Sequence, residues 1–308
     1  MYAHQVIEDL KGCNPSKPIP QLHMKLQESL NLIRNAQCFH LDDMQSFIDM
    51  FGNNYIKELA FHDIKYLKLP YQTMWLDMHI NLKSYDSILK KIGFLINEVD
   101  QGIFEIIQFF NAYDDQFERR DVWAMDFTTF LVDTKSCSEK RIFYKSLADI
   151  EELMDSVGID NKLLCESAKN GVSALQEVSF SKIIIVDCFL HLLNCKNITT
   201  ETIKAPEALN KKRRKNGKQE IFDYHVLNVT VPSRKGEYRE KTEPLSHVRV
   251  HLCRGHFKEY TEEHPLFGRL TGLYWWQPHV RGQNKDGIVI KDYKIKTQEA
   301  KYGQIGRP

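Results

Sequence analysis

The sequence lacks an excess of either charge: 42 Lys and Arg stand against 41 Asp and Glu, a formal net charge of +1. It also lacks a long apolar run. The longest, 183–193, contains Asp187 and His191 and falls short of the about 20 residues a membrane-crossing helix needs. Residues 1–10 show no basic region followed by an apolar stretch, so they do not read as a signal peptide. The seven cysteines (Cys13, Cys38, Cys137, Cys165, Cys188, Cys195 and Cys253) are odd in number and widely spaced. That argues against a disulfide framework and against a zinc finger or ribbon, and for reduced, mostly buried thiols in a cytoplasmic protein. Neither phosphate-loop pattern, G-x-x-x-x-G-K-[S/T] or G-x-G-x-x-G, occurs, nor does G-x-S-x-G or H-E-x-x-H. No cofactor and no catalytic residue is expected from these absences.

What is present suits a globular chain: 42% hydrophobic and 11% aromatic residues over 308 positions, enough for one large or two modest domains. Residues 18–66 carry Leu22, Leu26, Leu30 and Ile33, then Phe47, Met50 and Phe51, at helical spacing. From Thr73 to Ile80 the period becomes two, with Met74, Leu76, Met78 and Ile80 on one side and Thr73, Trp75, Asp77 and His79 on the other. That pattern predicts a half-buried strand. Residues 92–99, 103–110 and 122–132 predict three more, with turns at 100–102 and 111–120. Residues 146–196 return to helical composition and end in an apolar helix from about 181 to 193. Strand character resumes at 221–231, 248–252, 273–276 and 288–290. The expected class is α+β: a helical N-terminal part, an antiparallel β meander, central buried helices and a β-rich basic C-terminal part.

The near-neutral charge conceals a division. Residues 205–308 hold 21 Lys and Arg against 12 Asp and Glu, a net of +9, which leaves 21 basic and 29 acidic residues, net −8, in 1–204. The expected organisation is an acidic α+β domain, 1–204, followed by a basic β-rich region, 205–308, which could pack on the first as one unit. A Lys/Arg linker at 211–218 opens the second part. Such a basic region attracts phosphate backbones or an acidic protein surface. Lys211, Lys212, Arg213, Arg214 and Lys215 read either as a solvated linker or as an electrostatic arm that orders on binding.

One constellation stands out. His247 to Lys258 begins as a strict alternation, with Val248, Val250 and Leu252 inward and His247, Arg249, His251 and Cys253 outward. Gly255 permits a bend, and Arg254, His256, Phe257 and Lys258 surround it. A second cluster runs through Tyr274, Trp275, Trp276, Gln277, Pro278, His279 and Arg281. Together they place Arg and His beside exposed aromatic rings. Three readings fit: a surface for phosphate, carboxylate or unpaired bases, a His/Cys metal site, or a structural sheet edge. Arg249 beside His251 and Cys253 disfavours a cation. A separate set, Asp77, Glu105, Asp126 and Asp187, with His191, would make a magnesium-dependent nuclease if the carboxylates converge. Asp187 and His191, four apart on one helix face, equally fit a mutual bond inside the core.

The run Arg249-Val250-His251-Leu252-Cys253-Arg254-Gly255-His256-Phe257, followed by Trp276-Gln277-Pro278, resembles the C-terminal signature of an anti-CRISPR family that acts against the type V-A effector nuclease. That pattern reads Arg-x-His-x-x-Arg-Gly-His-Trp, then Trp-Gln-Pro, so Phe257 replaces a Trp and Cys253 stands where an Arg can occur. Related sequences are found widely in phages and prophages. The resemblance covers roughly 181–282 and takes in Leu192 to Ile198, Leu209 to Arg213, Gly217-Lys218 and Tyr224 to Leu227. An outlying strand motif, Leu69-Pro70-Tyr71 with Trp75-Leu76-Asp77, belongs with it. The resemblance implies a non-catalytic inhibitor in the host bacterial cytoplasm that engages the effector polypeptide, its mRNA or the ribosome during translation. RNA is thus a candidate partner, a membrane is not, and a homodimer is admissible. On this reading Arg249, Arg254 and Arg281 hold acidic or phosphate groups, and Trp276 forms a platform. His251, His256, Lys258 and His279 complete the surface. A metal-dependent nuclease, or another RNA-binding phage accessory protein, is the alternative.

Overall fold

The computed structural model describes residues 1–11, 20–43, 68–80, 89–114, 120–135, 142–146, 185–230, 251–253, 255–277, 279–281 and 292–294. Among them the fold is mixed α/β, built on one large mixed sheet. Strands β1 (Gln37–Asp43), β2 (Thr73–His79), β3 (Leu89–Asp100), β4 (Ile103–Asp114), β5 (Arg120–Asp133) and β6 (Ile142–Ser146) are neighbours in chain order. From β2 to β6 every pairing is antiparallel. On the other side of β1 lies β8 (Tyr224–Thr230), and β1 is parallel to both β2 and β8. Antiparallel to β8 run β7 (Ile198–Ile203) and the short β13 (Asp292–Lys294). Strands from both sides of residue 204 therefore belong to one sheet.

Alternation along the strands sends side chains to two separate cores. Phe39, Leu41, Met74, Leu76, Met78, Phe94, Ile96, Phe104 and Ile106 line one face, under helix α3 (residues 185–193). Cys38, Trp75, Leu95, Ile107, Phe109 and Trp123 line the other, under α1 (Ala3–Leu10) and α2 (Pro20–Asn35). Helix α1 buries Ala3, Val6, Ile7 and Leu10, a one-sided stripe at helical spacing. Helix α3 is apolar except for Asp187 and His191, and it packs against the sheet and against Phe257 and Trp275. Burying each such large side chain favours folding by about 1.5–3 kcal/mol.

Covering both faces corrects the half-buried reading of β2. Trp75 and Asp77, assigned to the polar side, are fully buried. The Trp75 ring lies across Gly93 on β3, where a methyl group would overlap it. The turn into β4 needs Gly102 at φ +71, with its N–H donating to Glu98 Oε1 at 2.9 Å.

Helical periodicity at 18–66 overreached. Helix α2 ends at Asn35 and β1 begins at Gln37. Phe39-His40-Leu41-Asp42 does alternate, but four residues are too short a period to interrupt the helical spacing read across 18–66. Residues 44–67, 147–184 and 231–250 lie outside the described residues, as do the readings made for them. The Lys/Arg stretch also differs from the linker expected. It forms α4 (Glu207–Lys215). Its basic residues occupy the last turn, where the helix dipole favours cations. Gly217 at φ +65 closes it, with Gly217 N–H donating to Arg214 O (3.1 Å) and Lys218 N–H to Arg213 O (2.9 Å).

Candidate functional site

The two halves of the Arg-Gly-His and Trp-Gln-Pro signature lie side by side. Strand β10 (His256–Tyr260) pairs antiparallel with β11 (Gly272–Trp276), setting His256 opposite Trp276, Phe257 opposite Trp275 and Lys258 opposite Tyr274. Strand β9 (His251–Cys253) pairs with β12 (His279–Arg281), setting Cys253 opposite His279 and His251 opposite Arg281. Both pairings share one register, since moving three residues back from His256 moves three forward from Trp276. Arg249, Arg254 and Pro278 lie outside the described residues.

The β10–β11 ribbon has one face fixed in the core. Phe257 packs on Trp275 (centroids 4.8 Å) and on the His191 ring (5.4 Å). Asn197, just before β7, binds its backbone: Asn197 Oδ1 accepts Trp275 N–H at 2.9 Å, and Nδ2 donates to Trp275 O at 2.8 Å and to Thr230 O at 3.1 Å. One buried amide thus joins ribbon and sheet. On the opposite face Lys258 is exposed and sits over the Tyr260 ring (4.9 Å), while His256 and Trp276 are half-buried. Trp275 is 1% exposed, so of the adjacent Trp pair one ring is core rather than platform.

Beneath the ribbon, Asp187 and His191 form the buried pair their spacing suggested: His191 Nδ1 donates to Asp187 O at 2.9 Å and lies 3.5 Å from Oδ1. Asp187 Oδ2 has no hydrogen-bond partner among the described residues. Burial raises the Asp187 pKa to about 6, against a smaller opposing effect of His191. The thiols of Cys38, Cys188 and Cys195 are free and buried, and burial pushes all three well up. They are poor nucleophiles.

Helix α4 belongs to the other layer. Arg213 pairs with Glu8 of α1 (2.9 Å) and its Nε–H donates to Gln219 O (2.7 Å). Asn210 binds Ile221 through both its amide groups, at 2.7 and 2.8 Å. Two residues of the basic stretch and its neighbourhood therefore hold structure, whereas Lys211, Lys212, Arg214 and Lys215 face solvent. The ribbon packs on the α3 side of the sheet and α4 is tied to α1 on the other.

The carboxylates do not converge. Asp77 and Glu105 face the α1–α2 layer, where Glu105 pairs with Lys25 (2.7 Å). Asp126 is half-buried on β5, and Asp187 lies beyond the opposite face of the sheet. No group of three His, Cys, Asp or Glu suited to a metal occurs among the described residues. Asp77 instead centres a buried network absent from the sequence reading. It accepts Tyr2 N–H (2.6 Å) and Trp75 Nε1–H (2.7 Å) at Oδ2, and His40 Nδ1–H (2.6 Å) at Oδ1. Burial opposes its ionisation, but His40 and the other donors outweigh this and hold the carboxyl below its ordinary value. The Tyr2 hydroxyl is hydrogen-bonded to His79 Nε2. Burial, then Arg213, lowers the nearby His4 pKa to about 4.

This fold and site define a mixed α/β protein whose sheet is covered on both faces and carries a separate antiparallel ribbon near its C-terminal end. No protein-family model matches the chain, and no curated protein or solved structure is significantly similar to it. No described helix is long and apolar enough to cross a membrane.

Proposed function

We propose that this protein is a phage- or prophage-encoded antagonist of host defence, a non-catalytic anti-CRISPR acting on the type V-A effector nuclease. It binds the effector polypeptide or its mRNA during translation, in the host cytoplasm. The observation that carries this reading is the shared register of the two ribbons. The halves of the signature, about twenty residues apart in sequence, become cross-strand neighbours. On the face that holds His256, Lys258 and Trp276, Lys258 is exposed and would be the first contact for a partner, while Phe257 and Trp275 anchor the other face. The dispersion of Asp77, Glu105 and Asp187 favours binding over a carboxylate-metal nuclease.

The test is co-expression with a type V-A effector, measuring effector polypeptide, its transcript and interference with a targeted plasmid. The expected result is a several-fold fall in effector polypeptide that is relieved by the combined Lys258→Ala and Trp276→Ala substitutions. Unchanged effector and undiminished interference with the wild-type protein sink the proposal. Magnesium-dependent degradation of RNA or DNA by the purified protein overturns its non-catalytic part.

A further inference from the structure

Strand β7 closes one end of the large sheet, and among the described residues it pairs with β8 alone. The ladder fixes which of its backbone groups face outward. Thr230 N–H donates to Asn197 O at 2.8 Å, which makes Asn197 and Thr230 a hydrogen-bonded pair. Such pairs alternate with non-hydrogen-bonded ones along an antiparallel ladder. Thr199, Glu201 and Ile203 therefore turn their N–H and C=O groups to β8, while Ile198, Thr200 and Thr202 turn theirs to the outer edge. The side chains agree with this phase. Thr202 and His225 form a non-hydrogen-bonded pair, close enough for the Thr202 hydroxyl to bond His225 Nδ1 at 3.0 Å. His225 is held in turn by Gln37 Oε1 (3.1 Å) and stacks on Tyr71, 7° from parallel. Both ends of β7 are anchored as well, by the Asn197 amide at its start and by Asp223, which accepts from Lys204 Nζ (2.7 Å) and Ala205 N–H (2.8 Å), at its end. Thr199, Thr200 and Thr202 are exposed, so both faces of the strand meet solvent. Edge strands are commonly blunted by lysine, proline or a bulge. Residues 198–203 contain neither residue, and their register with β8 runs without a shift.

We propose that β7 is the contact between two copies of this chain, pairing antiparallel with itself about a two-fold axis through Thr200. The segment Ile198-Thr199-Thr200-Glu201-Thr202-Ile203 is self-complementary in this register. Thr200 faces Thr200, Thr199 faces Glu201 and Ile198 faces Thr202, each in both directions. Thr200 N–H of each copy goes to Thr200 O of the other, and Thr202 N–H goes to Ile198 O. The Ile198 N–H takes no part, because it already donates to Cys195 O at 3.2 Å. Glu201, the one charged side chain of the strand, lies opposite a threonine, and Asn228 Nδ2 holds it toward β8 at 3.2 Å. A pair centred on Glu201 would oppose two carboxylates, which selects the register centred on Thr200. The other five residues of the strand are β-branched and suit a pleated ladder. This match of the edge to itself favours a second copy over an unrelated strand. The contact joins two sheets into one and stands independently of the effector reading.

The experiment is sedimentation velocity of the full chain over a range of concentrations, with a cysteine cross-linking series beside it. Wild type sediments as a dimer, at twice its 36.2 kDa mass. Thr200→Pro sediments as a monomer, since proline blocks the edge and the N–H it removes makes no ladder bond within one copy. Its far-UV circular dichroism matches wild type; if the spectrum changes, the cysteine series decides. Oxidised Thr200→Cys gives a covalent dimer, because directly opposed Cα atoms about 5.5 Å apart suit a disulfide. Thr202→Cys faces Ile198 and stays at the wild-type background, its counterpart lying four residues along the facing strand. A wild type that is monomeric at every concentration overturns the proposal. So does a dimer that survives Thr200→Pro, or equal cross-linking of Thr200→Cys and Thr202→Cys. A monomer whose effector suppression is lost in Thr200→Pro assigns the edge to a strand of another protein and likewise overturns the second copy. A dimer without effector suppression sinks the effector reading and keeps the contact.

Discussion

At the scale of single residues, buried polar groups divide into satisfied and unsatisfied ones, and the difference predicts opposite responses to pH. Asp77 has three donors and is favoured ionised. Asp187 has an oxygen without a partner among the described residues and a pKa raised to about 6. Its folded-state pKa exceeds the unfolded value near 3.8, so the folded state binds the extra proton. Stability falls as pH rises from about 4 through about 6 and then stays lowered. Asp187→Asn removes that loss. We expect it to stabilise the protein at pH 8 by up to about 3 kcal/mol, two pK units at about 1.4 each, and to be neutral near pH 4. Urea unfolding at the two pH values measures it, and equal effects at both refute the account. His4 acts in the other direction. Its folded pKa, lowered from 6.5 to about 4, makes stability fall as pH drops through that interval. His4→Gln should flatten this limb in thermal unfolding followed from pH 7 to pH 4. Sequence spacing revealed the Asp187–His191 pair. It could not reveal the Asp77 network, because Tyr2, His40 and Asp77 come from distant segments and meet only through strand pairing.

At the scale of elements, α4 shows why a charge run is a weak guide to disorder. Lys211 to Lys218 reads as a solvated linker when only charge is counted, yet Glu207 to Lys215 is helix. Its Glu, Ala, Leu, Lys and Arg are good helix formers, and the glycine after it supplies the left-handed residue that ends a helix. Arg213 resembles its neighbours in sequence but differs from them in space. It is 17% exposed, ion-paired with Glu8 and hydrogen-bonded to Gln219 O, while Arg214 is 63% exposed. Arg213→Ala should lower stability by about 1 kcal/mol, because it removes a half-buried ion pair with Glu8 and the donor to Gln219 O. Lys212→Ala should change it by less than about 0.5 kcal/mol. Thermal melts of the two variants make the comparison, and similar melting temperatures would count against the tether.

At the scale of the whole molecule, the central question is how the ribbon is joined to the sheet. Asn197 makes three hydrogen bonds to Trp275 and Thr230 from a buried position. Asn197→Ala strands the Trp275 N–H and carbonyl and should cost about 2–4 kcal/mol. Asn197→Asp keeps the acceptor, removes the donor and introduces a buried charge, so it does not rescue. Near-UV circular dichroism should show loss of fixed Trp environment in both variants, with far-UV signal largely kept. Retention of the near-UV signal would show that Phe257 and Trp275 hold the ribbon without the amide. The Leu192 to Ile198 motif, legible in the sequence only as part of a resemblance, acquires a physical purpose here: it ends α3, presents Asn197 and starts β7.

The sequence by itself determined the local elements with clear periods. Alternation, apolar runs and turn residues predict strands at 73–80, 92–99, 103–110, 122–132, 221–231 and 273–276 and an apolar helix ending near 193, and each overlaps an observed element. It also determined the charge division at residue 204. Pairing with β2 and β8 established β1 as a strand, because its alternation, Phe39-His40-Leu41-Asp42, is too short to stand out beside the helical spacing before it. Tertiary structure alone decided that the basic helix and the signature ribbon lie on opposite faces of the sheet. And it alone brought Tyr71 to His225, since residues 154 apart share a surface only when β1 lies parallel between β2 and β8. Periodicity is a property of one segment and its nearest environment; a site is a property of which segments pair.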